Sequence, residues 1–106
     1  MTTDDKAALE QLRASLQDHV FLYQMYLFGS RARGDADPDS DMDVLVVVDG
    51  TVTEELEEHV RYVAWEVGLE RGVLIAPVVF SRDEWENGIE RYSLLALAVE
   101  CEGVPV

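Results

Sequence analysis

The residues best suited to chemistry lie in one stretch, 28-FGSRARGDADPDSDMDVLVVVDG-50. Asp35, Asp37, Asp39, Asp41 and Asp43 fall on every second residue and run into the apolar segment Val44–Val48. Carboxylates resist burial and repel one another, so this placement calls for a compensating charge. In a strand, alternate residues share a face, which puts Asp41 and Asp43 on one side, about 6.5 Å apart at their α-carbons. Met42, Val44, Val46 and Val48 then face the opposite way, into a core. Paired hard oxygen donors at the start of a strand suit Mg2+ or Mn2+, ions that keep waters and also take phosphate oxygens. Just upstream, Gly29-Ser30 follows an apolar segment. Backbone N–H groups at such a junction favour anions, glycine allows close approach, and Ser30 adds a hydroxyl. Arg31 and Arg33 supply guanidinium groups matched to phosphate. Phosphate donors beside metal-binding carboxylates are what a nucleoside triphosphate chelating Mg2+ requires.

The spacing Asp35-x-Asp37-x-Asp39 also matches the opening of an EF-hand calcium loop, which needs Gly at its sixth position and Glu at its twelfth. Counting from Asp35 these are Ser40 and Val46; from Asp37, Met42 and Val48; from Asp39, Val44 and Gly50. Every register fails. Asp37-Pro38 and Asp39-Ser40 are turn formers, so Asp35, Asp37 and Asp39 read as a solvated turn, with an auxiliary metal role as the sharper alternative.

The surrounding elements must hold this stretch in place. Leu9, Leu12 and Leu16 recur at helical spacing, predicting a helix over 3–18. Residues 20–28 and 42–48 read as strands, with at most one helical turn between Gly29 and Gly34. Thr51 and Glu54 have capping-box spacing for a helix whose inner face is Leu56, Val60, Val63, Ala64 and Val67, ending at Gly68 or Gly72. Residues 73–80 read as a third strand, at a sheet edge or bulged because Pro77 lacks an N–H. Ser81 and Glu84 repeat the capping spacing, with Trp85, Ile89 and Tyr92 facing inward. A helix over Leu94–Val99 stops at Gly103. The order α-β-β-α-β-α(α) predicts an α/β (α+β) fold, a small mixed sheet covered by helices.

The chain has 106 residues, 48% of them hydrophobic, enough for the core of one domain, taken as 1–106. Its net charge of −14, from 22 acidic against 8 basic residues, argues against direct nucleic-acid binding, which relies on lysine and arginine. A metal ion or a basic protein partner suits that field, and much of the acidity also serves solubility. One cysteine and a polar N-terminus point to a reducing cytoplasm. The apolar run 73-VLIAPVVF-80 is far short of the roughly 18 residues of a membrane span. Cys101 reads as a core or near-core filler and His19 and His59 as helix-end or surface residues. Trp65 and Trp85 read as packing, and Phe21, Tyr23 and Tyr26 as sheet residues, with Tyr26 within possible reach of the site. Arg31 is open between a phosphate contact and a local pair with an aspartate.

Gly29-Ser30, ten residues, then Asp41-x-Asp43 resembles the signature of nucleotidyltransferases related to DNA polymerase β. The fuller string GSRARGDADPDSDMDVLVVV and the ending 94-LLALAVECEGVPV-106 are similar to the minimal nucleotidyltransferases (MNT proteins), over roughly residues 20–106. The resemblance implies the polymerase β-like nucleotidyltransferase fold. It implies that Gly29 and Ser30 hold the triphosphate with Arg33 helping to neutralise it, that Asp41 and Asp43 are catalytic and bind Mg2+ or Mn2+, and that ATP is the substrate. Family members are commonly paired with HEPN toxins, and some act as antitoxins by transferring AMP to the toxin, so a HEPN partner is implied here. The family also uses a third carboxylate on a later strand. The matching strand, 73-VLIAPVVF-80, contains no acid, and Ala76 falls near the expected place. Asp49 shares the face of Asp43 but lies roughly 20 Å along the strand. A chain of this kind either transfers AMP slowly or with a borrowed group, or neutralises its partner by binding alone. Transfer to a small molecule is a further alternative, weakened by the lack of an added domain to hold one.

Overall fold

The computed structural model describes residues 2–34, 40–88 and 94–106. Helix α1 (Thr3–Gln17) opens with a reciprocal capping box: Thr2 accepts from the Asp5 N–H, and the Asp5 carboxylate accepts from the Thr2 N–H. The box satisfies two of the orphan donors at the helix start. Leu9, Leu12 and Leu16 are buried on one face, as their spacing predicts.

Strand β1 (Leu22–Phe28) leads through a one-turn helix α2 (Ser30–Arg33), and then to β2 (Met42–Val48). The two strands pair antiparallel, with a bulge that inserts Tyr23 between Leu22 and Gln24. The bulge shifts the alternation, so Leu22, Met25 and Leu27 share one core while Tyr23, Tyr26 and Phe28 join another. Helix α3 (Glu54–Arg71) ends at Gly72, whose φ of 69° is the left-handed conformation that glycine adopts without strain. The cap at its start is Thr53, accepting from the Leu56 N–H, and not Thr51. Both threonines precede an acid-rich first turn, and the helix begins two residues later than the Thr51–Glu54 spacing predicts.

Strand β3 (Ile75–Ser81) pairs parallel with β2 and forms one edge of the sheet, which accommodates Pro77. Ser81 and Glu84 complete the expected capping box of α4 (Arg82–Asn87). Helix α5 (Leu94–Glu102) ends at Gly103, and the chain closes with a two-residue strand β4 (Val104–Pro105) against β1. This strand, too short for an alternation signal, is absent from the sequence reading. The sheet order is β3-β2-β1-β4, mixed in direction.

Both faces of the sheet are covered. Met42, Val44, Val46 and Val48 pack with the leucines of α1 and with Val60, Val63, Ala64 and Val67 of α3. Leu45 and Val47 pack on the other side with Trp85, Ala96 and Val99. Burial on both sides explains why β2 reads as an unbroken apolar run. Burying side chains of this kind stabilises a fold by about 1.5–3 kcal/mol each.

Four minor expectations change. Cys101 and Trp65 are exposed, because both occupy outward positions on their helices. Phe21 is 84% exposed and precedes β1 without joining it. His59 lies in the second turn of α3, half-buried, with its ring edge-on to His19 at 5.3 Å. Asp35, Asp37, Asp39, Ile89 and Tyr92 lie outside the described residues.

Candidate functional site

Strand β1 ends at Phe28, and Gly29 turns the chain into α2 with a φ of 77°. The Gly29 carbonyl accepts the first helical bond, from the Arg33 N–H at 3.2 Å. Directly across the sheet, Phe28 is the register partner of Asp43, and Asp43 is in turn the partner of Ala76 on β3. Ala76, Asp43 and Phe28 therefore form a row across three strands, on the face that carries Leu45 and Val47 further along. The Asp43 carboxylate leans over Gly29, and a β-carbon built on that glycine would fall 2.5 Å from Asp43 Oδ2.

Asp41 precedes β2 and is exposed, while Asp43 is half-buried. Burial pushes the Asp43 carboxyl above the ordinary carboxylate range, and the negative charge of Asp41 pushes it further. A cation beside Asp43 would offset both the repulsion from Asp41 and part of the desolvation cost. The lack of a side chain at Gly29 is what gives the Asp43 carboxylate room, since Oδ2 lies 2.5 Å from where a β-carbon would stand. The donor chemistry of the pair fits Mg2+ or Mn2+. Among the described residues, no three His, Cys, Asp or Glu side chains come together as a metal-binding group. A cation on this pair would need further oxygens from waters or a substrate.

The third strand carries Ala76 at the position level with Asp43, so the absence of an acid in 73-VLIAPVVF-80 falls at the site itself. The other acids with a claim to that place are elsewhere. Asp49 lies past the far end of β2 and faces Arg82 at 3.8 Å. Glu84 caps α4, and Asp83 occupies its first turn.

The two arginines after Gly29-Ser30 diverge. Arg33 pairs with Glu102 near the end of α5 at 2.9 Å. Arg31 is buried against Asp5 of α1, Nη1 to Oδ1 at 2.8 Å, and donates through Nε and Nη2 to the Ser40 carbonyl. Among the described residues Arg31 does pair with an aspartate, but not with a neighbour in sequence: its partner stands 26 positions away. Its partner, Asp5, is a residue that sequence reasoning passed over. The Thr2-x-x-Asp5 spacing announces a cap, but nothing local announces an ion pair 26 positions away. Tyr26 is directed to Gln24, its hydroxyl 2.8 Å from Oε1.

A family model described as a nucleotidyltransferase domain matches residues 9–93. The chain belongs to the nucleotidyltransferase domain family. A candidate protein adenylyltransferase of Methanocaldococcus jannaschii is 36% identical to it over 77 residues, spanning 65% of this chain and 78% of that protein. Among solved structures, a candidate minimal nucleotidyltransferase is 26% identical with a TM-score of 0.66, covering 95% of this chain and 91% of its own. A complex of a tri-AMPylated Shewanella oneidensis HEPN toxin with its MNT antitoxin matches at a TM-score of 0.58 and 17% identity, covering 94% of this chain and 69% of that one. At that identity the likeness is one of fold. Like these structures, the nucleotidyltransferase described here is a mixed sheet layered with helices. No helix among its described residues is long and apolar enough to cross a membrane.

Proposed function

We propose that this chain is a minimal nucleotidyltransferase that binds Mg-ATP and transfers AMP to a hydroxyl of a HEPN-family protein, as an antitoxin acting on its toxin. The observation that carries this reading is the Asp43 carboxylate poised over Gly29, with Asp41 beside it, at the start of α2. Gly29 and Ser30 would receive the triphosphate, and Arg33 would neutralise it after exchanging its pair with Glu102. Asp41 and Asp43 would hold Mg2+ or Mn2+, which supplies charge neutralisation for the phosphates and polarisation of the α-phosphoryl group. In the transfer, the acceptor oxygen forms a bond to the α-phosphorus. The bond from that phosphorus to the bridging oxygen breaks, and pyrophosphate leaves with it. The hydroxyl proton passes to a carboxylate or to water. Names among the relatives, a candidate protein adenylyltransferase and an AMPylated HEPN toxin bound to an MNT antitoxin, support this acceptor class. The net charge of −14 suits a basic partner.

Ala76 favours a second reading. Two-metal transfer places one cation on the leaving group and one on the nucleophile, and without a carboxylate at position 76 the second would be held weakly. The chain would then neutralise its partner by contact. The deciding experiment is the intact mass of a HEPN protein encoded beside this chain, after incubation with the chain, ATP and Mg2+. A gain of AMP units establishes the transferase, and a tight complex of unchanged mass establishes the binder.

A further inference from the structure

Arg31 is one of two basic side chains in α2, the segment proposed to receive phosphate, yet it is turned inward. Its side chain is 12% exposed and that of Asp5 is 9% exposed. Nη1 lies 2.8 Å from Asp5 Oδ1, while Nε and Nη2 lie 3.0 and 2.8 Å from the Ser40 carbonyl. The planar guanidinium thus spans two targets with its fork, a geometry that lysine cannot reproduce. Asp5 is itself fixed, because its other oxygen and its backbone N–H close the capping box with Thr2.

The Ser40 carbonyl belongs to the peptide that joins Ser40 to Asp41. One residue later, the Met42 N–H donates to the Leu74 carbonyl at 2.8 Å. Asp41 is therefore held between two pinned peptides, one anchored to α1 through Arg31 and one to the segment entering β3. Asp41 lies outside β2, so the ladder to β1 does not orient it. We propose that Arg31, held by Asp5, is a positioning residue that sets the direction of the Asp41 carboxylate towards the space it shares with Asp43. Asp5 lies in the first turn of α1, ahead of residues 9–93 that the family model matches, so this contact comes from outside the matched segment. The role in cation binding rests on the proposed function, whereas the ordering of Asp41 does not.

Amide hydrogen exchange on Asp5→Asn, Arg31→Gln, Arg31→Lys and the double variant Asp5→Asn/Arg31→Gln tests the ordering. Exchange at the Asp41 and Met42 amides should quicken about tenfold or more in each, with Val46 and Val47 unchanged. The double variant leaves no lone buried charge, so it decides the question if a single variant fails to fold. Unchanged exchange at Asp41 and Met42 in a folded variant overturns the proposal. Mn2+ titration by electron paramagnetic resonance, with and without ATP, tests the consequence. Affinity should fall about tenfold in Asp5→Asn and Arg31→Gln alike, and no further in the double variant. Loss of ATP binding in Arg31→Gln with wild-type behaviour in Asp5→Asn would make Arg31 a phosphate ligand and overturn the positioning role. If the wild-type chain takes up neither Mn2+ nor Mn-ATP, the nucleotidyltransferase reading fails, and the exchange data alone decide the ordering.

Discussion

The carboxylate of Asp43 fills the space that a side chain on Gly29 would need. A β-carbon there would fall 2.5 Å from Asp43 Oδ2, and the backbone of Gly29 has a φ of 77°. Gly29→Ala is therefore opposed twice, by a left-handed backbone that costs an L-residue about 1–2 kcal/mol and by the displaced carboxylate. Thermal melts should show a loss of this order or more, and calorimetry should show weakened Mg-ATP binding. In an Asp43→Gly background the backbone penalty should remain and the contact penalty should vanish. Equal losses in both backgrounds would show that Asp43 does not press on this position.

Asp41→Asn with Asp43→Asn should abolish Mg2+-dependent ATP binding while leaving the circular dichroism spectrum intact. Both residues lie at the mouth of β2, and neither belongs to the two cores. ATP affinity equal to wild type in this double variant would remove the metal-binding assignment.

The raised Asp43 carboxyl gives a pH dependence of definite sign. Its folded pKa lies above the ordinary value of 3.8, owing first to burial and then to Asp41. The folded state therefore holds the Asp43 proton to higher pH than the unfolded state does. Ionised Asp43 subtracts from stability at neutral pH, and this loss is recovered as pH falls through the folded pKa towards the unfolded one. Without metal, Asp43→Asn should melt above wild type at pH 7, and the gap should close by about pH 4. Mn2+ affinity of the wild type should fall over the same range, since the cation displaces that proton. A gap that stays constant with pH would contradict the assignment.

Ala76→Asp would place a carboxylate level with Asp43 on the neighbouring strand, about 4.8 Å away between backbones. Melting temperature without metal should drop, because three acids would then share one end of the sheet. Divalent-cation affinity should rise, and AMP transfer should increase if the second cation limits it. Fluorescent-ATP turnover and melts in EDTA against Mg2+ check both arms. A variant with neither the metal-free penalty nor a gain in cation affinity would show that position 76 does not face Asp43.

Much of this arrangement is legible in the chain because it rests on local chemistry. The β-branched apolar run Val44–Val48 announces the strand, and the position of Pro77 announces an edge. The spacing from Gly29-Ser30 to Asp41 and Asp43 identifies a family whose fold the sheet then displays. The features that escape are those that depend on distance through space. The insertion at Tyr23 leaves no mark in composition, yet it decides that Tyr26 and Phe28 share the face of Asp43. The choice of Thr53 over Thr51 turns on where the chain leaves β2, which both threonines fit by type. Arg31 and Asp5 are ordinary charged residues until α1 folds across the sheet and brings them together. Val104–Pro105 is a strand only because β1 presents an open edge to it.

The place of Ala76 also bears on how such a chain can change over time. It stands on an edge strand and belongs to neither core, so a single codon there can add or remove a carboxylate without repacking the interior. The cost of such a change falls on charge repulsion at one end of the sheet and not on the packing of the cores. On the proposed function, a lineage with this architecture can drift from modifying a partner to merely holding it, and back, while its fold stays the same.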